Sequence, residues 1–160
     1  MLGREYDQAC SIARTLEVLG ERWTLLVIRD VFNGRRRFDQ IRDNLGVARN
    51  VLATRLQWLV DEGILEKRAY QERPPRYEYF LTEKGLDLWP TLVALMQWGD
   101  VYAAPEAGPP VLLEHRDCGG AVGSHRTCAR CGEELGPRDV LARPGPGATD
   151  RHPLRRRSLA

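Results

Sequence analysis

The sequence FDQIRDNLGVARNVLATRLQWLVDE, residues 38–62, contains two short amphipathic repeats separated by a glycine. Apolar residues recur at helical spacing on both sides of Gly46, at positions Phe38, Ile41, Leu45, Leu52, Leu56 and Leu59. This period predicts two helices, each with one apolar side. Two such helices joined by a tight turn that contains glycine are typical of a helix-turn-helix.

The side of the second helix opposite its leucines is polar. At about 100° per residue, Asn50, Thr54 and Gln57 cluster on that side, and Arg49 lies at the helix start. Small hydroxyl and amide side chains can hydrogen-bond to base edges in the DNA major groove. A solvated helix face would have the same composition, so the choice between the two interpretations depends on the segment after this helix.

Residues 64–81, directly after the second helix, have the pattern of a β-hairpin. Residues 64–70 and 76–81 contain β-favouring residues and flank the sequence QERPP. Prolines are excluded from strand interiors, which assigns Pro74 and Pro75 to the connecting loop. A hairpin directly after a helix-turn-helix is the wing of a winged helix. Arg73 and Arg76 at its tip would contact the DNA backbone or a neighbouring minor groove.

The distribution of charge supports a polyanion partner better than the total charge does. The formal net charge is only +2 over 160 residues. Arginines cluster around the helix pair and the wing, and we expect phosphate contacts from Arg35, Arg36, Arg37, Arg55, Arg73 and Arg76. A run of charges is also typical of a solvated surface. Arg55 lies beside the apolar stripe, where a structural role is the alternative.

Helices are also predicted on both sides of the helix pair and hairpin, and the later one is more apolar than one small domain needs. Residues 10–19 and 23–32 form predicted helices, and Thr82 is positioned to cap a later helix. Apolar residues of that later helix fall on more than one side, at Leu86, Leu88, Trp89, Leu92, Val93, Leu95, Met96 and Trp98. This pattern predicts a helix that packs on its own domain and on a partner subunit. Pro90 should kink it or mark a helix start nearby.

These elements occur together in a known family. The matching stretches are CSIA (10–13), LGERWTLL (19–26), NGRRRF (33–38), LATRL (52–56), DEGIL (61–65), PPRYEY (74–79), LTEKG (81–85) and WG (98–99). On these residues the chain resembles the HxlR-type winged helix-turn-helix transcriptional regulators, which are bacterial one-component DNA-binding proteins. The resemblance covers roughly residues 10–99.

The resemblance implies a homodimer built through the N-terminal and C-terminal helices and without enzymatic activity. Each recognition helix would enter a major groove of double-stranded DNA, with an inverted-repeat operator whose half-sites lie about one helical turn apart. The chain departs from the family near the recognition-helix N-cap, where a Ser is usual and Val47-Ala48 stands here. A missing cap costs on the order of 1 kcal/mol.

The resemblance also implies a role for one cysteine. Cys10 occupies the position of an N-terminal cysteine that some members of the family use to sense electrophiles, quinones or disulfide stress. Arg14, one helical turn later, would favour the thiolate. The alternative is a small apolar residue packed in the dimer interface. A small-molecule effector, in place of a thiol modification, is the other kind of signal.

The C-terminal segment carries two short ligand pairs, His115-x-x-Cys118-Gly and Cys128-x-x-Cys131-Gly. Two such knuckles supply the four tetrahedral ligands of one structural Zn²⁺ per chain. The segment is too short to bury its own core, so metal would supply stability; His125 is the reserve ligand. The alternatives are a dithiol redox pair Cys128/Cys131, as in a thiol-based oxidoreductase, a partly occupied ribbon, and a protein-interaction module.

We therefore predict an α+β, mostly helical fold. Residues 1–103 form the winged helix-turn-helix and dimerisation domain, 104–110 a linker, 111–143 a zinc-ribbon-like segment, and 144–160 a disordered basic tail. The lack of a signal-peptide pattern and of a membrane-length apolar run predicts a cytoplasmic protein with no membrane partner. In that reducing compartment, four cysteines favour metal or redox chemistry over disulfides.

Overall fold

The computed structural model describes residues 6–149, which divide after Asp87 into two units. The N-terminal unit contains α1 (Ser11–Leu19), α2 (Thr24–Phe32), α3 (Phe38–Leu45), α4 (Arg49–Asp61), β1 (Leu65–Gln71), β2 (Arg76–Leu81) and α5 (Glu83–Leu86). The C-terminal unit contains α6 (Trp89–Tyr102), β3 (Val111–His115), a 3₁₀ turn (Ser124–Arg126) and β4 (Val140–Pro144). The predicted α+β, mostly helical winged helix-turn-helix is confirmed.

The core of the N-terminal unit forms from the apolar sides of its helices. The side chains that are fully buried there include Val27, Ile28, Ile41, Leu52, Leu56, Leu59, Ile64 and Leu65. Burial of each large aliphatic side chain stabilises the fold by roughly 1.5–3 kcal/mol. Because the three leucines of α4 face this core, the opposite side of α4 faces solvent.

The turn between α3 and α4 depends on Gly46. Its φ of 63° lies in the left-handed region, which costs glycine nothing, and its N–H donates to the Arg42 carbonyl at 2.8 Å. At the other end of α3, Gln40 Oε1 accepts from the backbone N–H groups of Arg36 and Arg37, each at 3.1 Å. Helix α4 begins after Ala48, whose side chain cannot cap it.

The wing is an antiparallel hairpin. Its register runs from Leu65 opposite Leu81 to Gln71 opposite Arg76, with a shift between Ala69 and Gln71. The Arg36 carbonyl accepts from the Tyr79 N–H at 2.8 Å, so the residues before α3 extend the edge of the sheet. The wing is thus fixed to the N-terminal side of the helix pair.

In the C-terminal unit, Pro90 lies in the first turn of α6, where its missing N–H leaves no bond unmade, so it marks a helix start and not a kink. Strands β3 and β4 pair antiparallel, from Val111 opposite Pro144 to His115 opposite Val140. Of the two roles predicted for Pro90, a kink or a nearby helix start, the structure shows the helix start. None of the helices within residues 6–149 is long and apolar enough to cross a membrane.

The ribbon continues beyond its strands. The Gly145 N–H donates to the Pro110 carbonyl at 2.9 Å, and the Gly147 N–H donates to the Pro109 carbonyl at 3.1 Å. Part of the segment predicted as a linker, 104–110, is therefore paired with residues 145–147. Residues 150–160, with the basic end predicted as part of the tail, lie outside the described residues. The domain boundaries themselves stay a prediction.

Candidate DNA-binding surface and metal centre

The exposed side of α4 carries all four residues predicted to contact bases. Arg49, Asn50, Thr54 and Gln57 are exposed. The Thr54 hydroxyl donates to the Asn50 carbonyl at 2.9 Å, and Gln57 Nε2 donates to Asp61 Oδ1 at 2.8 Å. These bonds are at the surface, where exchange with other partners costs little net free energy. The face therefore presents hydrogen-bonding groups that are free to reorient toward a ligand.

A cleft of about 570 Å³ lies where the starts of α3 and α4 approach the wing. Its lining includes Arg37, Arg49, Arg76, Tyr70, Tyr77 and Tyr79. The Arg49 guanidinium lies 5.1 Å from the centre of the Phe38 ring, which orients it at the helix start. Cations from the helix and from the wing thus border one opening, which favours an anion there.

Aromatic rings of the wing lie beside several cations, two of the wing itself and one that precedes α3. Lys67 Nζ lies 4.0 Å from the centre of the Tyr77 ring, and the guanidinium groups of Arg36 and Arg68 each lie 4.5 Å from that of Phe80. Cation–π contacts of this length restrict the side chains without neutralising their charge. The two tip residues predicted to contact DNA, Arg73 and Arg76, are exposed.

Arg37 connects the start of α3 to the wing. Its Nε donates to Glu78 Oε1 at 2.9 Å, and its guanidinium lies 4.4 Å from the centre of the Tyr70 ring. The hydrogen bond that Arg37 donates to Glu78 raises the pKa of the guanidinium above its usual value. Its charge is shared with a carboxylate, so Arg37 positions the wing in addition to any contact with DNA. The sequence could not reveal this pair, because its members are 41 residues apart.

Two arginines predicted to hold phosphates are instead packed inside the unit. Arg55 is only 6% exposed, and its Nη2 lies 3.5 Å from Glu21 Oε2. The side chain of Arg35 is 13% exposed, with Nη1 3.9 Å from Oδ1 of the buried Asp30. Each side chain lies beside a carboxylate of its own unit, which leaves little of either guanidinium accessible to a phosphate. For Arg55 this burial favours the structural alternative.

Cys10 directly precedes α1. It is exposed in the described chain, and its carbonyl accepts from the Arg14 N–H at 3.0 Å. Nearby Ile12 is 71% exposed. The N-terminus of α1 therefore leaves the thiol and an apolar side chain accessible together.

In the C-terminal unit, the four predicted ligands lie together. Their ligand atoms, on His115, Cys118, Cys128 and Cys131, are all within 4.8 Å of one another. His115 Nδ1 lies 3.3 Å from the sulfurs of both Cys118 and Cys131, and Cys118 Sγ lies 3.4 Å from Cys128 Sγ and 3.8 Å from Cys131 Sγ. With Zn–S bonds of about 2.3 Å, the corners of a regular tetrahedron are about 3.8 Å apart. The group could therefore hold a metal ion. His125, the reserve ligand, is exposed and outside this group in the described chain.

The two ligand pairs sit on turns with the same hydrogen-bond pattern. In the first turn the His115 N–H donates to the Gly120 carbonyl at 2.7 Å, and the Gly119 N–H donates to the His115 carbonyl at 2.8 Å. In the second turn the Cys128 N–H donates to the Glu133 carbonyl at 2.8 Å, and the Gly132 N–H to the Cys128 carbonyl at 2.9 Å. Gly119 and Gly132 occupy equivalent positions with φ of 69° and 76°. The predicted knuckles are present as a matched pair.

Backbone N–H groups stabilise charge on one sulfur. Bonds from the Cys131 and Arg130 N–H groups lower the pKa of the Cys128 thiol to about 6, although burial opposes them. At Cys118 the Gly120 N–H favours the thiolate, but the neighbouring thiols and burial together raise its pKa. Such N–H groups aimed at sulfur are typical of thiolate ligands.

Gly120 is a site residue that was not predicted from the sequence. A Cβ at this position would lie 2.4 Å from Cys128 Sγ and 2.6 Å from the Arg130 Cβ. The first turn can therefore approach the second only with glycine here. The consecutive pair Gly119-Gly120 was the available signal, because two glycines after a ligand exceed what the turn alone requires.

On the outer side of the site, His115 turns its other nitrogen toward acids. Nε2 lies 3.9 Å from Asp117 Oδ2 and 3.9 Å from Glu133 Oε2. The other ring nitrogen, Nδ1, is the one that faces the sulfurs of Cys118 and Cys131, each at 3.3 Å. The orientation of the imidazole therefore fits a metal ligand.

Comparison with known proteins relates the chain to transcriptional regulators. A profile of the HxlR-like helix-turn-helix family matches residues 18–107. The chain is 47% identical over 137 residues to the uncharacterized HTH-type transcriptional regulator Rv3095 of Mycobacterium tuberculosis, covering 86% of this chain and 87% of the relative. An alignment of that length extends beyond residue 107, so it includes part of the ribbon segment.

Two solved structures differ in how much of the chain they cover. PA1607 superimposes with a TM-score of 0.67 and 38% identity, covering 84% of this chain and 94% of that protein. The oxidized form of the redox regulator HypR gives a TM-score of 0.55 and 29% identity over 60% of this chain and 100% of its own. HypR therefore matches a smaller share of this chain than PA1607 does. The chain belongs to the HxlR-like helix-turn-helix family of transcriptional regulators.

Proposed function

We propose that this protein is a sequence-specific DNA-binding regulator that acts as a homodimer on an inverted-repeat operator. The observation that supports this most is the division of α4, whose leucines are buried while Arg49, Asn50, Thr54 and Gln57 are exposed. Each of these four side chains would read or approach base edges in the major groove. From membership of this family we infer that the protein has no enzymatic activity.

The phosphate contacts are assigned to the accessible cations. Arg36, Arg37, Arg73 and Arg76 remain in the proposed set, and Arg35 and Arg55 are left out because they are largely buried. The cleft between α3, α4 and the wing would accept the DNA backbone, since Arg49 and Arg76 border it from two elements. Contacts to phosphate orient the protein, and contacts to bases supply specificity.

Exposed apolar side chains on the terminal helices support the dimer. On α1 they are Ile12 and Leu16, and on α6 they are Leu95, Trp98, Val101 and Tyr102. Large side chains of this kind in solvent are typical of an interface. A two-fold dimer would place two recognition helices on successive major grooves.

The proposal is tested by selecting genomic fragments with the purified protein and titrating salt against the selected site. We expect an inverted repeat, one dimer per site by sedimentation, and a logarithm of the binding constant that falls linearly with the logarithm of salt concentration. A monomer that binds all fragments equally would contradict the proposal. Affinity that is independent of salt would favour a polypeptide partner instead.

A thiol response through Cys10 is a second part of the proposal. It is supported by the exposed thiol at the start of α1 and by the likeness to a redox regulator. Modification at this position would shift α1 and so the spacing of the recognition helices. Diamide or a quinone should release the parent protein from its operator and leave Cys10→Ser bound; equal release of both would contradict it.

We further infer one structural Zn²⁺ per chain at His115, Cys118, Cys128 and Cys131. Three thiolates and one imidazole in a tetrahedron are the donors that zinc prefers. Metal analysis of protein purified without a polyhistidine tag should give one zinc per chain, with three thiols shielded from a thiol reagent. Zinc well below one, together with reactive Cys128 and Cys131, would favour the dithiol pair instead.

A further inference from the structure

Helix α6 is hydrogen-bonded to the loop between the two knuckles. Gln97 Nε2 donates to the Gly123 carbonyl at 3.0 Å and to the Val122 carbonyl at 3.5 Å. The 3₁₀ turn Ser124–Arg126 also contacts α6. One polar side chain of the helix is therefore attached to backbone groups of the metal-binding segment.

The two accepting carbonyls belong to a loop whose ends are the knuckles. Val122 and Cys128 form an isolated antiparallel β-bridge, and the Val122 N–H donates to the Leu113 carbonyl at 3.0 Å. The Ala129 N–H donates to the Ala121 carbonyl at 2.9 Å. These bonds join the residues next to one knuckle to those next to the other. The position of the loop therefore depends on the two knuckles being held together.

Apolar burial provides little alternative support. Among the described residues 111–149, the buried apolar side chains are Cys128, Leu135 and Ala148. A segment below about 40 residues usually needs a metal or disulfides to hold its shape. The described cysteines are free thiols. A metal ion is the remaining cross-link for this segment.

Gln97 and Trp98 are consecutive on α6, so their side chains leave the helix about 100° apart. Trp98 is 62% exposed, and its ring lies 5.2 Å from that of Tyr102. Fixing Gln97 to the loop restricts rotation of α6 about its axis. This restriction in turn sets the direction in which Trp98 and Tyr102 are presented.

We propose that zinc binding at the four-ligand site fixes helix α6 through Gln97, so that metal occupancy controls dimerisation. This inference rests on the zinc ion and the dimer of the proposed function. His115, Cys118, Cys128 and Cys131 hold the loop, the carbonyls of Val122 and Gly123 accept from Gln97, and the apolar side of α6 is thereby aligned for the partner. In a zinc-depleted cell, the dimer would be less stable and its affinity for DNA would be lower.

The experiment uses the full chain in its zinc-loaded form and in a form stripped by a chelator under reducing conditions. Zinc content, amide hydrogen exchange in residues 89–102 and the dimer dissociation constant are measured on both. We expect stripping to accelerate exchange in α6 and to raise the dissociation constant at least tenfold. Re-addition of Zn²⁺ should restore both values.

A variant separates the contact from general unfolding of the ribbon. Gln97→Ala should retain one zinc per chain but exchange faster in α6 and dimerise about fivefold more weakly, as loss of one or two hydrogen bonds implies. The matched control is Thr91→Ala, an exposed position on the same helix, which should behave like the parent.

The outcomes distinguish this inference from the function on which it rests. Exchange in α6 that is the same with and without zinc, or the same in Gln97→Ala and the parent, overturns the inference whatever the oligomeric state. A zinc-loaded protein that is monomeric and binds no DNA overturns the proposed function. A protein that never retains zinc overturns the assignment of the metal.

Discussion

Gln57 and Arg76 contribute to the proposed DNA complex in different ways. Gln57 is exposed on α4, where its amide can both donate to and accept from one base. Arg76 borders the cleft at the wing, where a phosphate offers the same charge in every sequence. Gln57 would therefore contribute to sequence specificity, whereas Arg76 would contribute only to affinity.

We expect Gln57→Ala to lose discrimination at one base pair, by roughly 1–3 kcal/mol, while its salt dependence is unchanged. Arg76→Ala should weaken binding to all sequences and reduce the salt slope by about 1. Binding curves on operator variants at several salt concentrations measure both. Arg143→Ala, which removes an exposed cation from the ribbon, is the control. Parent-like binding by both variants would show that the proposed docking is wrong.

Gly120 tests the metal site at a position that is not itself a ligand. A Cβ there would lie 2.4 Å from Cys128 Sγ, so Gly120→Ala should displace one knuckle from the other. We expect zinc affinity to fall by at least tenfold, measured by competition with a chromogenic chelator. Gly99→Ala, where a Cβ would meet nothing within 4 Å, should bind zinc like the parent. Equal affinities in both variants would argue against the metal geometry.

At the scale of elements, α4 starts without a side-chain cap. Ala48 has the extended backbone of an N-cap, φ −61° and ψ 142°, but a methyl group cannot accept from the first N–H groups of the helix. The family resemblance had already indicated a missing serine here. The start of the helix that carries the proposed base contacts is therefore less stable than it could be.

Ala48→Ser should raise the free energy of unfolding by about 1 kcal/mol, since the new hydroxyl can accept from the N–H of Asn50 or Val51. Urea denaturation with an unchanged m-value measures this. Ala53→Ser, an exposed substitution inside the same helix, should bring no gain because no N–H is unpaired there. A similar stability for the parent and Ala48→Ser would mean that water already satisfies the helix start.

The elements themselves were predictable because their signals are local. Apolar spacing predicted α3 and α4, the prolines placed the wing turn, and Thr82 was identified as a cap, which the Gly85 N–H confirms by donating to its hydroxyl at 3.1 Å. The four metal ligands were likewise predictable from two short spacings. Each helix, the turn, the cap and each ligand pair depends on residues only a few positions apart.

The features that the sequence did not reveal depend on distant partners. The buried Arg55 lies beside Glu21, which is 34 positions earlier. The contact between Gln97 and Gly123 joins residues that share no periodic pattern. Charge in a sequence indicates what a side chain can do, and only packing decides whether it faces solvent. The sequence therefore indicated the helix positions but not the burial of Arg35 and Arg55, which argues against their proposed phosphate contacts.

At the scale of the whole molecule, the proposed function requires two chains. The C-terminal unit presents Trp98 at 62% exposure and Val101 and Tyr102 at 71% each. A monomer would leave these side chains in water, whereas an interface would bury them. Such burial stabilises the dimer by about 25 cal/mol per Å² of apolar surface. Buried tryptophans at the centre of an interface often contribute about 2 kcal/mol or more. Trp98 is thus the side chain whose loss should reveal the dimer most clearly.

We expect Trp98→Ala to raise the dimer dissociation constant by roughly 30-fold or more. Because the second half-site is bound at the effective concentration set by the dimer, affinity for the full operator should fall while affinity for a single half-site is retained. Sedimentation velocity and binding to full and half operators measure the two effects. Leu112→Ala, an exposed apolar residue on β3, should change neither. If Trp98→Ala dimerised like the parent, the apolar side of α6 would have to serve another partner, and the two-fold arrangement of recognition helices would lose its physical basis.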